Sequence, residues 1–183
     1  MEALYQPEYV HVLINHLPLT GLFAALLGLI GSLALRKRAT AFLGIGLVSL
    51  FSLSVWPVYA YGEAGYDRVY SMANGDGDAY LRRHKELAER WVWLFYLTSA
   101  AGAVGLVVGW RRPNCLWVFA WSTVILATGS LVVGAIIADA GGKVRHPEFR
   151  HGPAPAEHGG IIGCLFPCLP PQVDGTSRAC KPS

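Results

Sequence analysis

Apolar residues fall in four runs, about 17–35, 41–61, 91–110 and 115–138, and charged residues lie almost wholly between and beyond them. Each run is about 20 residues or longer, enough for a helix to cross a hydrocarbon core of roughly 30 Å. The pattern predicts an all-α membrane protein: an antiparallel four-helix transmembrane bundle within residues 1–152, then an irregular extramembrane tail over 153–183. Arg36-Lys37-Arg38-Ala39-Thr40 joins the first two runs, and Arg111-Arg112-Pro113-Asn114 joins the last two. Both connections read as hairpin turns on one side of the bilayer. The N-terminus, the central loop and the tail lie on the other side.

The third helix is expected to start well before its apolar run. Asn74-Gly75-Asp76-Gly77-Asp78 is turn chemistry, and Asp76 or Asp78 is placed to cap a helix reaching Trp110. Within that extension Leu81, His84, Ala88, Trp91 and Phe95 recur at spacings of three and four, so they form one stripe. His84 therefore points inward, while Arg82, Arg83, Glu86 and Glu89 lie mostly off the stripe. Pro18 is read near the start of the first span, and Pro57 as a kink in the outer end of the second. Trp56, Trp91 and Trp93 mark one interface, and Trp110 and Trp117 the other. Gly44, Gly46, Ser49, Gly102, Gly105, Gly129 and Gly134 are the small residues expected to let helices approach.

Composition supports the class: 53% of residues are hydrophobic and only 15% charged, too apolar for an ordinary soluble domain. Of the 15 Lys and Arg, Arg36, Lys37, Arg38, Arg111 and Arg112 sit in the two turns, where none of the 12 acids lies. Short basic loops stay in the cytoplasm, which puts both termini outside. The N-terminal sequence has no basic region ahead of the apolar run, so the first span is expected to remain in the mature protein. Basic residues are scattered among acids or sit at helix ends, so nucleic acid is not an expected partner.

All six histidines fall on the side opposite the turns: His11, His16, His84, His146, His151 and His158. Neutral imidazole is the commonest metal ligand and a common haem ligand, so this clustering points to a cofactor site at one mouth of the bundle. His16, His84 and His146 are the candidate ligands, one at each of three helix ends. His11 lies five residues before His16, about 140° around a helix, so one helical face does not offer both to the same centre. Glu63, directly after the second run, is a candidate metal ligand, a second-shell partner, or a solvated acid. Gly141-Gly142 ends the fourth helix or lets the backbone approach something closely, after which His146 folds back. Arg82 and Arg145 are the cations offered to carboxylates such as haem propionates.

Cys115 reads as packing. Cys164, Cys168 and Cys180 allow one disulfide and leave one thiol over. No covalent haem-attachment motif, phosphate loop, metalloprotease signature or nucleophilic triad is present.

Asn15-His16-Leu17-Pro18, Gly62-Glu63, His84, and Gly141-Gly142 with Arg145-His146-Pro147-Glu148 resemble a group of uncharacterised small four-span bacterial membrane proteins. These are classed as a domain-of-unknown-function family. The resemblance covers about residues 11–152. Where the family has an acid after the third-span histidine, this chain has Lys85. The resemblance implies a bacterial inner-membrane address and a histidine-lined outer end, with no settled activity.

The leading expectation is a non-catalytic subunit of a larger respiratory or photosynthetic complex. It holds b-type haem between two of His16, His84 and His146, and exchanges electrons with a quinone or redox protein. A second expectation keeps His16, His84, His146 and Glu63 but binds copper, zinc or iron. A third has no cofactor: the chain anchors a complex and uses its tail as a strap.

Overall fold

The computed structural model describes residues 5–73, 75–152 and 154–155. Its elements are α1 (Pro7–Ile14), α2 (Leu22–Leu35), α3 (Arg38–Leu53), α4 (Val55–Met72), α5 (Gly77–Arg111) and α6 (Leu116–Arg145). α1 and α2 are joined through a π-helical stretch, Leu17–Gly21, and α3 runs into α4, so the chain forms four long helical rods. The rods have 29, 35, 35 and 33 residues, and each is long and apolar enough to cross a membrane.

Both interruptions follow from proline. Proline has no N–H to donate to the fourth preceding carbonyl, and its ring clashes with that carbonyl. Pro18 lies four residues after Ile14, where α1 ends, and Pro57 lies four residues after Leu53, where α3 ends. The helix resumes after each, so both prolines bend a rod instead of bounding it. The first rod thus starts ten residues before the first apolar run, and the second continues eleven residues past the end of its run.

α5 packs against α6 and α3, α2 against α3 and α6, and α1 against α4. The core holds Leu22, Leu29, Ile45, Val48, Phe95, Leu116, Ala120 and Ala127. Outward-facing Phe23, Leu27, Leu43, Leu50, Val107, Val118, Ile125 and Val132 leave an apolar surface suited to lipid contact. Gly44, Gly102 and Gly105 are buried where neighbouring helices come closest, with a Cβ on Gly44 only 3.0 Å from the Leu29 Cα. Gly46 and Gly129 have more room, their nearest neighbours lying at 3.9 and 3.7 Å.

α5 begins at Gly77 with Asp76 at its N-cap, though no side chain closes the cap, and Asp78 lies in the first turn. The expected stripe faces inward: Leu81 and Phe95 are buried, His84, Ala88 and Trp91 partly so, and Arg83, Glu86 and Glu89 are exposed.

Inside the core, Thr98 Oγ1 and Ser130 Oγ lie 2.8 Å apart, joining α5 to α6, and Thr98 also donates to Leu94 O at 2.8 Å. Thr98→Val is expected to cost about 1 kcal/mol, the scale of an interhelical bond in an apolar setting. Reversible unfolding in mixed micelles measures it. Ser130 keeps only a longer contact, 3.4 Å, to Leu94 O.

A histidine pair at one end of the bundle

α1 carries His11 against α4. The His11 Nδ1 lies 2.8 Å from Val58 O, and because a carbonyl only accepts, Nδ1 bears the proton. Gly62, one turn beyond Val58, makes this approach possible: a Cβ there would lie 3.0 Å from both Cε1 and Nδ1 of the ring. One turn further, Gly65 lies against the Glu8 backbone, where a Cβ would meet the amide nitrogen at 2.9 Å. Two glycines on one face of α4 thus form the seat for α1.

α5 carries His84 against α6 with the same parts. The His84 Nδ1 donates to Ile137 O at 2.8 Å. Gly141, again four residues past the accepting carbonyl, sits 3.0 Å by its virtual Cβ from Cε1 and Nδ1 of the ring. Each half of the chain therefore repeats one unit: an imidazole on the first rod, with its Nδ1–H held by a carbonyl one turn before a glycine on the second.

The two units meet. The His11 and His84 ring centroids are 6.4 Å apart, with planes at 84°. With Nδ1 protonated, each neutral ring keeps its lone pair on Nε2. Imidazole nitrogens bind a metal at about 2.0–2.1 Å, and a ring centroid lies about 1.1 Å behind its nitrogen, so rings on opposite sides of one ion have centroids about 6.3 Å apart. The observed 6.4 Å is close to that span, and it is equally the separation of an ordinary edge-to-face ring contact. Donation of the other ring N–H to a backbone carbonyl is also the usual support for a ligating histidine.

Glu8 and Asn15 flank His11 on α1. Glu8 Oε1 pairs with Arg68 at 2.9 Å, whereas Glu8 Oε2 and Asn15 Oδ1 are buried without hydrogen-bond partners among the described residues. Beside His84 the equivalent region is apolar: Tyr80, Leu81 and Val144 form a small cluster with Tyr66 and Val69.

The other expected site residues lie elsewhere. His16 is exposed at the break after α1, lining a shallow open groove with Tyr9, Val12 and Leu13. His146 is exposed, with its Nδ1 2.9 Å from Glu148 Oε1. The Glu148 carboxyl is held below the usual carboxylate range, chiefly by its own backbone N–H and then by His146. Arg145 is exposed. Arg82 reaches Asp78 at 3.7 Å and the Tyr70 hydroxyl at 3.3 Å. Glu63 is exposed and pairs with Lys85 at 3.2 Å. His151 is exposed. His158, Cys164, Cys168 and Cys180 lie outside the described residues, as does the expected strap.

Among the described residues no three His, Cys, Asp or Glu side chains come close enough to hold one ion. The set His16, His84, His146 and Glu63 is therefore not assembled, because solvent and Lys85 claim its exposed members. His84 meets His11 instead. The signal for this partner in the sequence is Gly62, the glycine of Gly62-Glu63, which marks a close approach on α4. No family model, curated protein or solved structure matches the chain. Residue roles for this site accordingly come from its geometry.

Proposed function

We propose that this chain is an electron-transfer subunit of a bacterial inner-membrane complex, holding b-type haem between His11 and His84. The carrying observation is the pair itself: two imidazoles from separate rods, each with Nδ1–H tied to a carbonyl, with ring centroids 6.4 Å apart, so that both would be at hand to hold the group. With no third His, Cys, Asp or Glu beside them among the described residues, the two rings would supply a bare zinc ion with only half of its usual coordination. Haem brings its own in-plane nitrogens and takes two axial ligands from protein. When bound it supplies reversible one-electron chemistry. Held by both His11 and His84, the group would offer no open place to oxygen or substrate, which favours electron transfer over catalysis.

In this reading the four rods run antiparallel, with both termini and the histidine end on the outer side. A quinone or an outer-face redox protein exchanges electrons there. Arg82 and Arg145, at the same end as His84 and Gly141, are the cations offered to the propionates. The tail is a candidate strap to neighbouring subunits.

An absorption spectrum of the purified protein, air-oxidised and then reduced with dithionite, tests this. The expected result is the sharp, split visible bands of six-coordinate low-spin haem, unmoved by carbon monoxide. A protein produced with ample haem that shows no such bands ends the proposal. The histidine pair would then be a polar staple in a structural anchor.

A further inference from the structure

The opposite end of the bundle carries a different chemistry. Arg36, Lys37 and Arg38 close the connection between α2 and α3, and Arg111 and Arg112 close that between α5 and α6. The two turns form one surface. Arg38 Nη2 donates to Gly109 O across them at 2.9 Å. Its guanidinium lies 5.6 Å from the centre of the Phe42 ring, which in turn meets Trp110 edge-on at 6.5 Å.

All five cations are exposed. The side chains of Arg36, Lys37, Arg111 and Arg112 make no hydrogen bond or ion pair within the described residues. At the histidine end Arg68 pairs with Glu8, Arg83 with Glu86, Lys85 with Glu63 and Lys143 with Asp139, although Arg90 and Arg145 have no acidic partner among the described residues. Helix dipoles favour Arg36 and Arg111, which sit at the C-terminal ends of α2 and α5. They disfavour Lys37 and Arg38 at the start of α3, where the first turn has no acid. Five clustered like charges repel one another unless an anion lies among them.

We infer that this end is a binding surface for the phosphate groups of anionic phospholipid. A lipid fits better than a free anion because the cations border exposed apolar side chains. Leu35, Leu43 and Val107 are 66%, 62% and 57% exposed, and Trp110 is 80% exposed at the level where the cations begin. Acyl chains can run along the first three while the indole sits among headgroups. The inference does not depend on haem.

Native mass spectrometry of the full-length protein in detergent, with matched-chain phosphatidylglycerol or phosphatidylcholine added, tests it. The wild-type protein is expected to retain phosphatidylglycerol about tenfold better, and a variant combining R36G, K37Q, R111Q and R112Q to lose that preference. R36K with R111K and R112K should keep it. Equal retention of the two lipids by the wild type overturns the inference, and so does an undiminished preference in the neutralised variant. Displacement of phosphatidylglycerol by millimolar inorganic phosphate would assign the surface to a free anion and overturn the lipid reading. The wild-type comparison and the phosphate arm decide the matter even if the neutralised variant fails to fold.

Discussion

Alanine at either His11 or His84 is expected to abolish the six-coordinate haem spectrum, whereas alanine at His16 or His146 leaves it unchanged. The contrast follows from where these rings lie. The His11 and His84 rings meet edge to face with centroids 6.4 Å apart and their Nδ1 atoms engaged by carbonyls, while His16 and His146 are exposed, the latter beside Glu148. Loss of one axial ligand opens a coordination position, so each single variant that keeps any haem should become five-coordinate and bind carbon monoxide. Its affinity should fall by more than about 100-fold, beyond the loss caused by removing an outer-shell partner. Loss of both ligands should leave no specific haem. Absorption titration with and without carbon monoxide reads each outcome. An H11A protein with an unaltered spectrum, beside an H16A or H146A protein without one, would reassign the ligands.

The same comparison marks how much the sequence discloses. Hydropathy locates four rods because burial in lipid demands long apolar runs, and the three-and-four spacing through Leu81, His84 and Phe95 orients α5 correctly. α1 escapes that reasoning. Gln6, Glu8, His11 and Asn15 make it look like a polar lead-in, and Pro18 looks like the start of the first span. In the folded chain Pro18 only bends the rod, so a full helical segment precedes it and His11 comes with that segment. His11 and His16 point to different faces, the first half-buried and the second exposed, but a spacing of five residues does not say which of them turns inward. The remaining obstacle is distance in sequence. His11 pairs with Val58 and Gly62, and His84 with Ile137 and Gly141, contacts that local periodicity cannot encode. Glycine was recognisable as a site of close approach, but what approaches it depends on which rods are neighbours. Glu63 illustrates the converse, since its salience in sequence comes to an exposed ion pair with Lys85.

Those glycines give the second large effect, and it separates cofactor binding from folding. A Cβ on Gly62 or on Gly141 would lie 3.0 Å from Cε1 and Nδ1 of its histidine, tighter than ordinary contact. Gly→Ala at either position forces the ring to shift by a few tenths of an ångström, and Gly→Val forces more. Either change loosens the Nδ1–H bond to Val58 O or Ile137 O that fixes tautomer and direction. Disturbing such a support costs a ligating histidine about 10- to 100-fold in affinity, so G62V and G141V should each weaken haem binding by that order, with alanine intermediate. Intrinsic helix preference runs the other way, since alanine is favoured over glycine by about 1 kcal/mol in a helix interior. A fall in affinity without a fall in the helical signal on heating therefore reports the site and not the fold. Gly142 is the internal control: a Cβ there meets only Phe149 Cδ2, at 4.0 Å, so G142A should bind haem as the wild type does. Equal behaviour of G62A, G141A and G142A would mean that the glycines do not position the ligands. Because the two seats repeat the same geometry in the two halves of the chain, G62V and G141V should also resemble each other. A large effect in one alone would show that the two histidines are held unequally.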